Sequence, residues 1–541
     1  MSKPRDILLL CLLGLLACLP GIDTLPVIDR DEARYAQSVV QMVETGDYID
    51  IRFQDEPRYK KPVGAYWAQA AAIHLTGQAD DVRAGERPIW AQRLPSVVGA
   101  LLAVVFTYLA GIALFGRRAA FVGAAFLAVS VSLAFEAHQA KTDALLAGAS
   151  AAVLYGIAAR KAWAVWLGIG AGILIKGPVI VAVAGLALGT LAVIERSGAR
   201  VRELMTPLPI LVALAITLPW FVAIGIKTDG AFFAEALGRD FGAKIGSAQE
   251  THGGWPGYYL LTTLVMFWPG VIALPLALVW AWRERKAPAV TLLLAWLVPM
   301  WIVLELVPTK LPHYTLPLYP ALALLCGAAA ASLWAKNRVV LRVAGLVLFT
   351  LVGLGLAYFG LYAAFGPQPD EGWIVPAVGT VALSVMAATA LLVRKQAEYT
   401  PAILTGAVTS LIVLGLLANS YGTFGLTDRV VAQLEARSLE GRRVVSPDYR
   451  EPSLVYRLGT DTGLSVEELR SGDVLLTGSR GTQGPVCEPG RREPFAQVEG
   501  AHYAKGVGRY FLTLHPTDGC DAAALDAWRA REAARRTDSS G

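Results

Sequence analysis

Residues 94–137 read LPSVVGALLAVVFTYLAGIALFGRRAAFVGAAFLAVSVSLAFEA, two long apolar runs (94–114 and 119–137) parted by a short break that holds Arg117 and Arg118. The hydrocarbon core of a bilayer is about 30 Å thick, and a helix needs about 20 apolar residues to cross it. Each run meets that length, so the pair predicts two transmembrane helices joined by a basic turn. Outward from this stretch the pattern recurs at 7–19, 143–159, 162–176, 178–194, 207–226, 256–281, 288–306, 316–334, 339–363, 372–393 and 401–420, which predicts about thirteen spans. Composition agrees: 541 residues, 55% hydrophobic and 17% charged, with a mean hydropathy of +0.49, are too apolar for a water-soluble globule. A soluble enzyme is excluded, and the fold class is an all-α polytopic membrane protein.

The first run follows Lys3 and Arg5 and ends in Leu15-Leu16-Ala17-Cys18, which looks like a lipoprotein cleavage box. It lacks the small-residue cleavage site of a secretory signal and is read as the first span. Basic residues then mark alternate loops: Arg117-Arg118, Arg160-Lys161, Arg196/Arg200/Arg202, Arg283/Arg285/Lys286, Lys336/Arg338/Arg342 and Arg394-Lys395. Lys and Arg accumulate on the cytoplasmic side of membrane proteins, so a cytoplasmic N-terminus accounts for all six. The same rule explains the excess of 48 Lys and Arg over 43 Asp and Glu without a nucleic-acid partner.

This organisation predicts a transmembrane region, 1–420, and a C-terminal domain, 421–541, with both 421–541 and the loop 22–93 outside the cytoplasm. In the loop, Asp31 to Glu44 forms an amphipathic helix with Ala33, Ala36, Val39, Val40 and Val43 as its apolar stripe, stopped by Thr45-Gly46. A second piece, Val63 to Thr76, opens after Pro62 and carries Tyr66 and Trp67, aromatics suited to headgroup level. Both are read as interfacial helices lying along the membrane. The tail shows strand-like runs at Arg443–Val445, Asp473–Thr477 and Tyr510–Leu514, then an Ala/Arg-rich helix and a disordered Ser-Ser-Gly end, which predicts a small α/β domain. Of five cysteines, Cys11, Cys18 and Cys326 fall in apolar runs, and Cys487 and Cys520 share the tail, where a pairing stays open. No Cys or His spacing matches a zinc site.

Ionisable residues are nearly absent from the span centres and gather at the outer ends: Asp29, Asp31, Glu32 and Arg34; Lys60 and Lys61; Glu136, Lys141 and Asp143; Lys176; Arg239, Asp240 and Lys244; Lys310 with His313. A transporter places its binding groups near the midplane, whereas this distribution favours chemistry on a lipid headgroup. Asp29 and Glu32 suit a capping box for the first loop helix, which leaves Asp31 available as a carboxylate that takes a proton from, or orients, an acceptor. Arg34, Lys60 and Lys61 either attract anionic lipids loosely or hold a phosphate, Arg through its planar fork and Lys as a point charge. Pro308, Pro312, Pro317 and Pro320 interrupt regular helix around Lys310, His313 and Tyr314. There Lys310 suits a second anionic group and Tyr314 a hydrogen bond to phosphate or sugar.

These residues fall in motifs that resemble a known family. Asp-Glu-Ala-Arg-Tyr-Ala (31–36), Lys-Lys-Pro (60–62), Arg-Leu-Pro-Ser (93–96), Thr-Asp-Ala-Leu-Leu (142–146), Lys-Gly-Pro (176–178) and Lys-Leu-Pro-His-Tyr-Thr-Leu-Pro-Leu-Tyr-Pro (310–320) are similar, in order and spacing, to polyprenyl-phosphate-dependent glycosyltransferases of the GT-C type. These include the lipid A aminoarabinose transferase and the protein O-mannosyltransferases. The resemblance implies a multi-pass enzyme of the bacterial inner membrane. It would move a sugar from an undecaprenyl-type phosphate to lipid A or a related lipid or glycan acceptor at the periplasmic face, with inversion at the anomeric carbon. It implies Asp31 as the catalytic carboxylate and Arg34, Lys61 and Tyr314 as contacts to the donor phosphate. Glu32, Tyr35, Lys60, Asp143, Lys176, Lys310 and His313 are further substrate-binding candidates.

The absence of a convincing Gly-rich nucleotide loop suits a lipid-phosphate donor. No metal ligands are assigned, although the resemblance leaves a divalent metal open as a cofactor. One position departs from the pattern: the aminoarabinose transferases carry Glu before the lysine of Lys-Pro, and here it is Lys60, a cation better suited to an acidic sugar such as a uronic acid. A protein O-mannosyl transferase of the same family, a lipid-linked-sugar flippase or transporter, and a scaffold with a partner-binding tail stand as alternatives.

Overall fold

The computed structural model describes residues 3–236, 254–332, 338–365, 374–393, 399–417, 425–478, 496–502 and 506–538. Its first third holds helices α1 (Lys3–Cys18), α2 (Asp31–Thr45), α3 (Gly64–Leu75), α4 (Ala79–Arg83), α5 (Ile89–Phe115), α6 (Arg117–Ala128), α7 (Val131–Ala137) and α8 (Asp143–Ala159). Short strands β1 (Arg52–Phe53) and β2 (Glu56–Pro57) pair antiparallel between α2 and α3. Apolar helices continue at Ala162–Lys176, Val179–Ile194, Pro207–Lys227, Pro288–Leu306, Tyr319–Ala331, Val339–Phe365, Ile374–Val393 and Thr400–Leu417.

Among the described residues, five helices are long and apolar enough to cross a bilayer, or up to seven if two bent pairs are each one span. Both bends correct the sequence reading, which took the runs as continuous. The run 119–137 breaks between α6 and α7 with a bend of 55°, and 256–281 divides into Tyr258–Met266 and Gly270–Arg283 at 114°. Helical bonding stops at Ser130, whose backbone is extended, and at Pro269, which has no N–H to donate. The breaks repair each other: the Val131 amide donates to the Trp268 carbonyl at 3.1 Å, and both Ser130 and Trp268 are buried. Irregular backbone inside a membrane protein is tolerated where protein covers it.

Small residues let the bundle close. A Cβ added at Gly99 would lie 2.7 Å from the Ala144 carbonyl, and one at Gly148 would lie 2.7 Å from the Gly99 oxygen, so α5 and α8 meet backbone to backbone. The membrane-facing helices expose Leu, Val and Ile instead, as at Leu211, Val222 and Leu278.

In the first loop, α2 ends on Gly46, whose φ of 73° supplies the left-handed turn. The α2 stripe does not lie on the membrane. Ala33, Ala36, Val39, Val40 and Val43 are buried in protein, Ala36, Val39, Val40 and Val43 in a cluster with Val63, Tyr66, Ala70 and Ile73 and with Tyr456 of the tail. Tyr66 is wholly buried rather than at headgroup level. An amphipathic stripe reports that one face is covered, but not whether lipid or protein covers it.

In the tail, β3 (Val444–Val445), β4 (Val474–Gly478), β5 (Ala496–His502) and β6 (Gly506–Pro516) form a sheet of order β3-β4-β6-β5, with β3 and β4 parallel and the other pairs antiparallel. Helices Leu426–Glu435, Pro452–Leu458 and Ala522–Asp538 accompany it. Strand β5 was not foreseen, because its Ala, Gln, Gly and His residues carry little strand preference. Cys487, and with it the Cys487–Cys520 pairing, lies outside the described residues, as does the Ser-Ser-Gly end; Cys11, Cys18 and Cys326 are free. The sheet domain is seated on α2 and its neighbours. Gln37 Nε2 donates to Thr460 Oγ1 (2.8 Å), Gln54 Nε2 to the Thr462 carbonyl (2.6 Å) and Arg87 Nε to the Tyr456 carbonyl (3.0 Å).

Beneath α2, Arg93 of the Arg-Leu-Pro-Ser motif is completely buried. Its guanidinium donates to both Glu32 oxygens (2.8 and 3.0 Å) and to the carbonyls of Ile22, Leu25 and Pro26 (2.9, 2.8 and 3.0 Å). Glu32 also accepts from the amides of Ile28 (2.8 Å) and Ala140 (2.9 Å). The pair therefore binds the end of α1's connection, the start of α2, α5 and the segment between α7 and α8 into one joint. Removing one partner of a buried pair strands the other, at a cost of about 3–5 kcal/mol. Arg93→Met is expected to lower the melting temperature of the detergent-purified protein sharply. A variant that melts with the wild type would deny Arg93 this role.

Candidate active site

The chain turns into α2 through Arg30, whose φ of 71° is left-handed and which makes no side-chain cap. The expected capping box is absent. Glu32 reaches past the cap to Ile28 and Arg93, and Asp29 instead accepts the Ser453 amide of the tail at 3.0 Å. This corrects Glu32 as a substrate contact, since it is buried and engaged within the protein. Asp31, the first residue of α2, is exposed at the site.

Facing it is a network from four other segments. Lys141, between α7 and α8, lies 2.9 Å from Glu136 Oε2 and 4.0 Å from Asp143 Oδ2. Lys176, at the end of helix Ala162–Lys176, lies 2.6 Å from Asp143 Oδ1 and 5.2 Å above the Tyr314 ring. His313 lies between the two carboxylates, with Nδ1 3.6 Å from Glu136 and Nε2 3.8 Å from Asp143, and meets Tyr314 edge-to-face at 5.1 Å. Arg58 closes another side. It is buried over the Tyr35 ring at 5.1 Å, and its Nε donates to Tyr66 Oη at 3.2 Å.

The Lys-Lys-Pro turn is packed beside Lys-Gly-Pro. A Cβ on Gly177 would lie 3.9 Å from Pro62 Cγ, and Gly64 meets the Leu174 backbone so closely that a Cβ there would lie 2.7 Å from it. Lys60 is exposed, Lys61 is half-buried with its Nζ 2.9 Å from the Lys60 carbonyl, and Arg34 is half-buried one turn along α2 from Asp31.

Although Asp31 has surface open to the site, the protein around it partly desolvates the carboxyl and by itself would raise it; the charges of Arg58, Lys141 and Arg34 overcome this and hold the group below the ordinary carboxylate range. Burial likewise disfavours the Lys141 ammonium, and Glu136 and Asp143 overcome that, so its pKa is raised. The site can therefore present an ionised carboxylate beside several cations, an arrangement suited to a nucleophile on one side of a reacting carbon and an anionic leaving group on the other.

Thus Asp31, Arg34, Asp143, Lys176, His313 and Tyr314 gather around one region, with Lys60 and Lys61 at its edge. Two candidates do not join. Tyr35 is buried in a ring stack with Tyr66, centroids 4.7 Å apart, and serves as the platform for Arg58. Lys310 turns away to the Gly254 carbonyl (3.1 Å) and Glu305 (3.7 Å). Arg239, Asp240 and Lys244 lie outside the described residues. Arg58 and the Glu136–Lys141 pair were not assigned to the site from sequence. Arg58 stands only two positions before Lys60, and Glu136 is the lone carboxylate of its apolar run, a signal that marks functional or paired charge in a membrane protein. A divalent metal does not fit the described side chains. No three His, Cys, Asp or Glu residues among them form a ligand set, and the Glu136 and Asp143 carboxylates are paired with Lys141 and Lys176.

Over 96% of its length and 100% of the other chain, the protein shares the fold of ArnT from Cupriavidus metallidurans bound to undecaprenyl phosphate, with a TM-score of 0.74 and 18% sequence identity. The apo state of that protein gives 0.71 and 19% over 96% and 98% of the two chains. The family model described as dolichyl-phosphate-mannose-protein mannosyltransferase matches residues 60–223. Fold and sequence both liken the chain to one class, the sugar transferases. Within that class the chain is similar to the undecaprenyl phosphate-alpha-4-amino-4-deoxy-L-arabinose arabinosyl transferase of Yersinia pestis, 27% identical over 405 residues that cover 68% of this chain and 69% of the relative. The Yersinia enterocolitica protein of the same name is 27% identical over 398 residues.

One charge at the tail contact gives a pH test. Asp29 lines a cleft with Thr427, Asp428, Ser453 and Arg457, and burial pushes its carboxyl up to about 7, aided by Glu451 and opposed by the Ser453 contacts. Between the ordinary 3.8 and about 7, the folded chain keeps a proton that the unfolded chain has released, so this group makes stability fall as pH rises through that window. Asp29→Asn is expected to gain melting temperature relative to wild type between about pH 5 and pH 8. Parallel melting curves for the two proteins over that range would contradict the assignment.

Proposed function

We propose that the protein transfers a sugar from an undecaprenyl-type polyprenyl phosphate to lipid A or a related envelope acceptor at the periplasmic face of the inner membrane. The observation that carries this reading is the placing of the Asp31 carboxylate among the charges of Arg34, Arg58 and Lys141, with the Lys-Lys-Pro and Lys-Gly-Pro turns packed on each other. The basic loops support a cytoplasmic N-terminus, the orientation that puts the site and tail outside the cytoplasm.

In the proposed reaction an acceptor oxygen attacks the anomeric carbon from the face opposite the phosphate. The new C–O bond forms as the bond to the phosphate oxygen breaks, and the electron pair leaves with the lipid phosphate, inverting the centre. A hydroxyl acceptor passes its proton to Asp31, whereas a phosphate acceptor is already anionic and needs only orientation. Arg34 and Lys61 neutralise the charge growing on the departing phosphate, and Tyr314 donates its hydroxyl hydrogen to it. Losing one such contact typically costs about 2.7–4 kcal/mol of transition-state stabilisation. Asp143, Lys176 and His313 form the adjoining wall, with Lys176 stacked on Tyr314 to hold that ring.

The aminoarabinosyl relatives favour an aminopentose donor. The exposed Lys60 cation favours a second reading, an acidic sugar such as a uronic acid.

Asp31→Asn tests the assignment. In proteoliposomes with donor and acceptor on the accessible face, wild type should form product and the variant should lose about 100- to 10,000-fold in rate. A wild-type protein that forms no product but carries headgroups across the bilayer would favour the flippase instead.

A further inference from the structure

Lys141 belongs to none of the six motifs, and the proposed chemistry gives it no contact with substrate. Its placement is nevertheless specific. The side chain is 7% exposed, paired at 2.9 Å with Glu136, which is itself 1% exposed. The segment that carries it is bolted on both flanks of the site: the Ala140 amide donates to Glu32, next to Asp31, and Ser96 Oγ donates to the Gln139 carbonyl at 2.6 Å. Burying an ammonium is costly without a partner, and Glu136 supplies one at 2.9 Å.

We propose that Lys141 is a positioning residue for the transfer, an internal cation anchored on Glu136 that keeps Asp31 ionised and aimed when substrates displace water from the site. The inference rests on the role of Asp31 proposed above. Four cations or potential cations bear on Asp31: Arg34 from its own helix, Arg58 from the turn after β2, Lys141 from the 138–142 segment, and His313 from the irregular turn Pro312–Leu318. Glu136 and Asp143 bear in turn on Lys141. Arg58 is committed to the Tyr35 and Tyr66 rings and Arg34 is assigned to the donor phosphate, which leaves Lys141 as the cation held in place by buried carboxylates, Glu136 at 2.9 Å and Asp143 at 4.0 Å.

The test is the pH dependence of kcat/KM for the full-length protein in proteoliposomes. Taking a cation away from Asp31 raises its pKa, so in Lys141→Met the acidic limb should move to higher pH by about one unit, while Lys141→Arg should keep the wild-type limb. If the Met variant does not fold, Lys141→Gln, which keeps a polar head against Glu136, replaces it with the same expectation. A folded Met or Gln variant whose acidic limb stays in place overturns the proposal. So does failure of both to fold alongside a fully active Arg variant, because that pattern marks a purely structural lysine. Asp31→Asn in parallel separates the two ideas. Wild-type rate in that variant would remove Asp31 from the mechanism, whereas an inactive Asp31→Asn together with active Lys141 variants whose acidic limb stays in place would remove only the role of Lys141.

Discussion

The carboxylate of Glu32 is the constraint on which the outer site depends. It accepts four N–H bonds, two from the Arg93 guanidinium and one each from the amides of Ile28 and Ala140, with no exposed surface on either side chain of the ion pair. Asp31 precedes Glu32 directly, Lys141 follows Ala140 directly, and Asp143 opens α8 two residues later. One buried carboxylate therefore sets the distance between the start of α2 and the segment that faces it. Such a fully bonded pair can be rigid because its desolvation is met by geometry, and rigidity is what an electrostatic site needs, since charges that reorient during reaction give back the stabilisation they provide.

The charge arrangement beyond that joint follows the same logic. Glu136 and Asp143 are buried beside Lys141 and Lys176, so the inner wall is internally balanced. The outer ring of Arg34, Arg58 and Lys61 then exceeds the single charge of Asp31. A net cationic rim around one carboxylate suits a leaving phosphate and an acceptor that must approach the same carbon from opposite sides. The tail adds a third support. Through Ser453, Tyr456, Thr460 and Thr462 it holds Asp29, Arg87, Gln37 and Gln54, residues that flank the α2 site rather than enter it.

The membrane class was readable from residue 94 onward because apolar length is a local property. The bends at Ser130 and Pro269 were not, since each is stabilised by the other across the bundle, and no local pattern announces a Val131–Trp268 hydrogen bond. That Asp31, Arg34, Asp143, Lys176 and Tyr314 belong to one candidate region was legible because they occur in short motifs. Glu32, Tyr35 and Lys310 have the same residue types in the same motifs but point into the protein, and direction is decided by Arg93, Tyr66 and the Gly254 carbonyl, which come from distant parts of the chain. Arg58 was missed for the converse reason. It stands outside the motif, and only the fold of the β1–β2 turn lays it across Tyr35.

The most direct measurement is a density map of the full-length protein with undecaprenyl phosphate bound. The expected result is a phosphate within about 3 Å of the Arg34 and Lys61 side chains, with Asp31 across a sugar-sized space from it. A phosphate seated instead beside Lys310 and Glu305, or with Asp31 turned away into the tail contact, would contradict the proposed chemistry.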